Sequence, residues 1–230
     1  MTVGKDTETG SSKKNRMSAL AIVINYFFHL ILFGITSYIL SRVIIDLNVT
    51  LFTLHIIFIV PGYLILMSNA ILIMSDNNFL SMTSKQSERV ISHWMLQVFG
   101  LILIIVGHSC VFVYKYQGNL PRFQTVHSRV GLATFILSLI TGFQGIFTRY
   151  SYQLRKFVKP LIQKIFHSLV GNFTYILAVV SIIYGFDQMW SRDYDVIVKP
   201  ILITLLSIST AYVLYKSLFT MALRIKQLFE

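Results

Sequence analysis

The chain has 230 residues, of which 55% are hydrophobic and only 13% charged, and its mean hydropathy is +0.68. That charged share is about half of what soluble domains carry, so a membrane protein is expected. The net charge of +11 is spread in short clusters between apolar runs, which argues against a nucleic-acid partner, and the single cysteine, Cys110, excludes an intramolecular disulfide and any Cys-x-x-Cys attachment site.

Residues 1–16 are polar, lack aromatics and carry both charge signs, the composition of a disordered tail. Apolar stretches of the roughly 20 residues that a bilayer requires follow at 17–40, 51–74, 91–114, 127–147, 164–186 and 200–222. The first is longer than the apolar region of a signal peptide, and no small-residue cleavage pattern follows it, so it reads as a retained span. Turn chemistry separates the spans at Asp46 to Thr50, Ser75 to Asn78, Gly118 to Pro121, Arg155 to Pro160 and Asp187 to Pro200. Connections this short imply one antiparallel bundle. The expected fold is an all-α membrane domain of six transmembrane helices over residues 17–222, with a short tail at 223–230.

Orientation follows from Lys and Arg, which concentrate on the cytosolic side of short loops. The N-terminal tail, the second and fourth loops and the C-terminal end hold fourteen of the 20, so both termini are expected in the cytosol. The fourth connection is the most basic, with Arg149, Arg155, Lys156, Lys159 and Lys164. As a topology signal or as an attractor of anions, the same cluster would look alike.

Four of the six histidines, His55, His93, His127 and His167, each lie near the start of one of spans two to five. Spans two and four run from the outer face inward, which places His55 and His127 in the non-cytosolic leaflet. Spans three and five run the other way and place His93 and His167 in the cytosolic leaflet. Polar side chains in the apolar region are costly and tend to face the bundle interior. Two facing neutral imidazoles close both axial positions of a haem iron and leave none open, which suits electron transfer. Glycine recurs after each: Gly131 and Gly171 four residues after His127 and His167, Gly62 and Gly100 seven after His55 and His93. Both spacings keep the glycine near the histidine's helix face, where it is expected to leave room for a flat cofactor. For the carboxylates of such a cofactor, Arg129 outside and Lys164 or Arg89 inside are placed near the surface.

His29, in the middle of span one, has no partner at a matching register and is expected to pack. His108 follows His93 by fifteen residues, about 22 Å at 1.5 Å per residue, and so approaches the depth of the outer pair. There it would shuttle protons, contact an electron acceptor or simply sit at the interface. Gln97, one turn after His93, is expected to support that imidazole. Asn48-Val49-Thr50 is a sequon pressed against the membrane and is expected to stay unused. No phosphate loop, nucleophile elbow or His-Glu-x-x-His motif occurs, and no Asp or Glu lies within the six spans. Two other classes remain open on the residues alone: a histidine-based proton or metal transporter, and a haem-free membrane scaffold.

The six-span plan, with one histidine in each of spans two to five, and the segments LFTLH (51–55), SHWMLQ (92–97), TVHSRVGL (125–132) and KIFHSLVG (164–171) resemble the cytochrome b561 family, closest to its small domain-containing subgroup. The resemblance covers about 17–222. It implies a central four-helix bundle (spans two to five) holding two noncovalent b-type haems, His55 and His127 ligating the non-cytosolic one and His93 and His167 the cytosolic one. It further implies electron transfer from cytosolic ascorbate to monodehydroascorbate radical or Fe(III), an endoplasmic reticulum or vesicle membrane, and admits a homodimer. The basic residues that meet cytosolic ascorbate in the family do not map cleanly onto this chain; Lys85 and Arg89, which precede His93, Lys159 and Lys164 of the fourth connection facing them, and His108 outside are the candidates for contact with substrate. The chain departs from the family in reading Leu54-His55-Ile56, where a tryptophan often precedes and a proline often follows the histidine; the nearest proline here is Pro61.

Overall fold

A computed structural model of the protein describes residues 19–46, 48–75, 81, 84–189 and 195–230; the expected tail at 1–16 lies outside them. The described residues form helices joined by short loops, with no strand among them. The helices are α1 (Ala19–Asp46), α2 (Leu51–Leu72), α3 (Gln86–Gln117), α4 (Val126–Arg149), α5 (Pro160–Met189) and α6 (Asp195–Lys226). All six contain stretches long and apolar enough to cross a bilayer, so the chain is an integral multi-pass membrane protein.

Helices α3 and α5 start before their apolar stretches, and α2 ends at Leu72, short of residue 74. α3 starts at Gln86 rather than near residue 91, and α5 at Pro160 rather than near 164. The extra turn of α3 is polar, Gln-Ser-Glu-Arg, whereas that of α5 is Pro-Leu-Ile-Gln. Pro160 suits a first helical position, where a missing N–H costs nothing. Pro200 was expected to end a loop, but it lies inside α6, close enough to the start that one hydrogen bond at most is lost.

Packing divides the bundle into two tight antiparallel pairs, α2 with α3 and α4 with α5, while α1 and α6 flank them against α2 and α5. The apolar core fills the space among α1, α2, α5 and α6, around Ile39, Val43, Leu64, Tyr175, Ala178 and Leu206. By contrast, the fully enclosed residues of α4 are Thr134 and Ser138. Polar links cross the middle of the bundle: Tyr63 Oη to Ser138 Oγ at 3.0 Å, Ser68 Oγ to Tyr175 Oη at 2.7 Å, and Thr141 Oγ1 to Thr174 Oγ1 at 3.1 Å. Such bonds between helices have no water to compete with them in lipid.

α2 is not uniform. Leu51–Pro61 is α-helical, Gly62–Met67 forms a π-helical turn, and Ser68–Leu72 returns to α. Pro61 lacks the N–H that would continue the α pattern, and Ser68 Oγ donates to Tyr63 O at 3.3 Å, which satisfies a carbonyl at the distortion. A π turn accommodates one extra residue without turning the helix faces that flank it.

Candidate functional site

Two caps fix where His55 and His127 start. Thr50 and Thr53 bond each other's backbone N–H reciprocally at 2.7 and 3.3 Å at the head of α2. Thr125 and Ser128 do the same at 3.1 and 3.2 Å at the head of α4. Both arrangements satisfy orphan N–H groups and place His55 and His127 in the first two turns. These two imidazoles line one cavity, together with His108, Gly131, Lys115 and Arg122. At the other end of the bundle His93 and His167 approach each other, with ring centroids 6.2 Å apart at an interplanar angle of 79°.

Every one of the four imidazoles is held through Nδ1 by an acceptor on a neighbouring helix. His55 Nδ1 lies 2.9 Å from Gly107 O, His93 Nδ1 2.7 Å from Ala70 O, and His127 Nδ1 2.9 Å from Ser181 O. The fourth, His167 Nδ1, lies 2.8 Å from Gln144 Oε1. A carbonyl oxygen only accepts, so in each case Nδ1 carries the proton. In the neutral ring Nε2 then carries the lone pair. His29 and His108 bond instead to the carbonyl four residues back on their own helix, Asn25 O at 2.8 Å and Ile104 O at 2.9 Å. Through Nδ1 the four histidines thus reach a neighbouring helix and these two their own, while the His108 ring also bonds the Gly131 backbone on α4.

Each helix pair makes this arrangement reciprocally, each helix holding the histidine of the other. On α4 and α5, Gly145 and Gly185 each follow the histidine of their own helix by eighteen residues. A Cβ on Gly185 would meet His127 Cε1 at 3.3 Å, and one on Gly145 would meet His167 Cε1 at 3.3 Å. Gly62 and Gly100, expected to open space for a cofactor, instead face each other where α2 crosses α3; a Cβ on Gly100 would stand 3.3 Å from Gly62 O. Their role is close backbone approach. Of the other two glycines, Gly131 lines the outer cavity, whereas Gly171 faces Thr141 Cγ2 on α4. The glycines that touch histidines were not among those singled out, because a four- or seven-residue rule looks only along one helix. The repeated eighteen-residue spacing was in the sequence and carries the signal.

The charged groups are also rearranged. Arg129 does not line the cavity of His55 and His127: its Nε and guanidinium nitrogen donate to Phe123 O at 3.0 Å and Gln124 O at 3.3 Å. These bonds hold the α3–α4 loop, in which Asn119 and Phe123 adopt left-handed φ values of 49° and 56°. For a phenylalanine that conformation is costly, and Lys115 Nζ to Pro121 O at 3.1 Å pins the same loop. Lys115 and Arg122 are the cations that line the cavity. Near the helix starts that carry His93 and His167, Lys85, Lys159 and Lys164 are exposed, and Arg89 Nε donates to Ser84 O at 3.2 Å. Arg224, on α6, reaches Ser168 Oγ at 3.2 Å, beside His167, and Arg149 lies 5.4 Å over the Trp94 ring, beside His93. His93 takes the Ala70 carbonyl as its Nδ1 partner, the support that Gln97 was expected to give. His108 is buried, stacked on Phe135 at 4.3 Å and 17°, with its ring 5.7 Å from that of His55.

The chain is 28% identical over 114 residues to the bovine (Bos taurus) transmembrane reductase CYB561D2, a match covering 50% of each chain. Human (Homo sapiens) transmembrane reductase CYB561D2 is 27% identical over 45% of this chain and 46% of its own. For the mouse (Mus musculus) probable transmembrane reductase CYB561D1 the identity is 27%, over 51% and 49%. The chain thus matches about half the length of these curated relatives. The family model of eukaryotic cytochrome b561 matches residues 54–192, a segment that holds all four cross-bonded histidines, and the chain therefore belongs to the eukaryotic cytochrome b561 family.

Proposed function

We propose that the protein is a transmembrane oxidoreductase that passes electrons between two b-type haems, one held by His55 and His127 and the other by His93 and His167. The observation that carries this reading is the set of four Nδ1–H bonds to carbonyl oxygens on neighbouring helices. Imidazoles that ligate metals are oriented this way, with the second ring nitrogen free to donate its lone pair. An iron bonded to one nitrogen of each ring at about 2 Å would set ring centroids roughly 6 Å apart, and the inner pair stands at 6.2 Å. The residues present therefore fit the group. A haem held by either histidine pair would supply one-electron chemistry.

The chain's own residues do the rest. His55 and Ala70, whose carbonyl holds His93, are fifteen residues apart on α2, about 22 Å at 1.5 Å per residue. Two sites at that separation lie near opposite faces of a hydrocarbon core about 30 Å thick, so electrons cross without any moving part. On the side of the basic fourth connection, Lys85, Arg89, Lys159 and Lys164 attract an anionic donor, for which ascorbate is the proposed molecule. Lys115, Arg122 and His108 face the outer site, where Fe(III) or monodehydroascorbate is the proposed acceptor. Both termini lie in the cytosol in this scheme, and the membrane is that of the endoplasmic reticulum or of vesicles.

The purified full-length chain is expected to show the absorbance of six-coordinate low-spin haem b at near two haems per chain, and to be reduced by ascorbate. His93→Ala or His167→Ala should remove one haem and His55→Ala or His127→Ala the other. Folded protein without pigment would overturn the proposal.

A further inference from the structure

Three of the four imidazoles give their Nδ1 proton to a backbone carbonyl, of Gly107, Ala70 and Ser181. Only His167 gives it to a side chain, Gln144 Oε1 at 2.8 Å. The amide's orientation is fixed from its other end, because Gln144 Nε2 donates to Gln163 O at 3.2 Å. A backbone carbonyl accepts and never donates, so the Nε2 end must face Gln163 and the oxygen must face the imidazole. Gly145, next in the chain, stands against the same ring. Gln144 is half-buried within α4, six residues before the exposed Tyr150 and the basic connection.

The carbonyls of Gly107 and Ser181 lie inside helices, where each already accepts the N–H four residues on. Ala70 O, past which Met74 N turns to Ile71 O, and Gln144 Oε1 have no such helix partner to share with, so His93 and His167 both meet acceptors of undivided capacity, and only that of His167 is a side chain. A stronger acceptor at Nδ1–H makes the imidazole a better electron donor through Nε2. Greater donation stabilises the ferric over the ferrous state and lowers the reduction potential.

We propose that Gln144 is a positioning residue for the inner haem: it fixes the tautomer and ring orientation of His167 and lowers the potential of that haem alone. The inference rests on His167 as a ligand. It deepens the two-haem reading by naming a side chain, outside the ligand set, that tunes one site and not the other.

The test uses full-length haem-loaded protein in detergent, titrated potentiometrically, with low-temperature electron paramagnetic resonance of the ferric state. His167→Ala identifies which of the two potentials belongs to the inner haem. Gln144→Leu, which removes the acceptor at similar volume, is expected to raise that potential. Gln144→Glu, which presents a carboxylate acceptor, is expected to lower it. The other haem should keep its wild-type potential in both variants, and the resonance of the inner haem alone should shift as the ring is released. Shifts of opposite sign in the two variants are something a packing role does not produce. Loss of the inner haem alone in Gln144→Leu supports the same assignment. Wild-type potentials and spectra in both variants, or loss of both haems together, overturn the proposal. If His167→Ala retains both haems, the ligand assignment itself has failed, which is a separate result.

Discussion

At Gly185 a single added methyl group would come within 3.3 Å of His127 Cε1 and 3.5 Å of its Nδ1, the atom that holds Ser181 O. The mirror position, Gly145, stands in the same relation to His167. A larger side chain at either place must tilt the imidazole, and overpacking of this kind costs about 1–3 kcal/mol. If the two pairs hold haem as proposed, Gly185→Val is therefore expected to lower occupancy at His55 and His127 while sparing His93 and His167, and Gly145→Val to do the reverse; haem content per chain and thermal unfolding report both. Equal loss of the two haems in either variant would contradict the pairing. The four histidines themselves were legible from the sequence because a polar residue repeated at matching depth in apolar spans is rare and periodic. Their supporting partners were not: Ala70, Gly107 and Ser181 contribute only backbone oxygen, which leaves no mark on residue type, and Gln144 is one of several amides near span ends. Arg129 looked free because sequence shows where a guanidinium starts and not which carbonyl it reaches.

Helix α2 shows how an element carries the geometry of both sites. Gly62 and Gly100 follow His55 and His93 by seven residues each, and they mark the crossing of α2 and α3. Beyond the crossing the two helices differ. Ala70, the acceptor for His93, is eight residues after Gly62, whereas Gly107, the acceptor for His55, is seven after Gly100. The π turn at Gly62–Met67 takes up the extra residue; without it, Ala70 would be rotated by about 100° from the face it shares with His55. Deleting Ile65, inside the π turn, is accordingly expected to leave a regular α-helix with both haems retained. Deleting Phe58, between His55 and Gly62, should turn His55 away from Gly107 and abolish the outer haem. Visible spectra of the two deletion variants decide between this view and one in which the π turn is itself required, which would show as haem loss on removing Ile65. Six spans and their order could be read from hydropathy alone. The π turn could not, since nothing in the identity of Gly62–Met67 distinguishes it from a continuous helix beyond the preceding Pro61.

Across the whole molecule, the charge asymmetry has to serve two purposes, insertion and attraction, and they can be separated by number. Fourteen of the 20 Lys and Arg residues fall on the side assigned to the cytosol and six on the other. Replacing Arg155, Lys156 and Lys159 with glutamine would leave eleven against six, an excess still on the original side, so the orientation should persist. All three side chains are exposed, and they lie in the connection between α4 and α5, whose last residue, Lys159, precedes His167 by eight. An attractive field there raises the encounter rate of an anion by roughly tenfold or more at low salt, and salt near 1 M shortens the screening length to about 3 Å. If the cluster steers the donor, the triple variant should be reduced by ascorbate at least about tenfold more slowly at low ionic strength. It should also converge with the wild type as salt is added, because both proteins then meet the donor by unsteered diffusion. Haem content and the accessibility of a tag placed in the 118–124 loop serve as controls for folding and orientation. A variant that keeps its orientation and its wild-type rate at every salt concentration would show that the cluster acts only during membrane insertion. In that case the contacts that receive the donor must be sought nearer the histidines, where Arg224 at Ser168 and Arg149 over Trp94 already approach the inner pair.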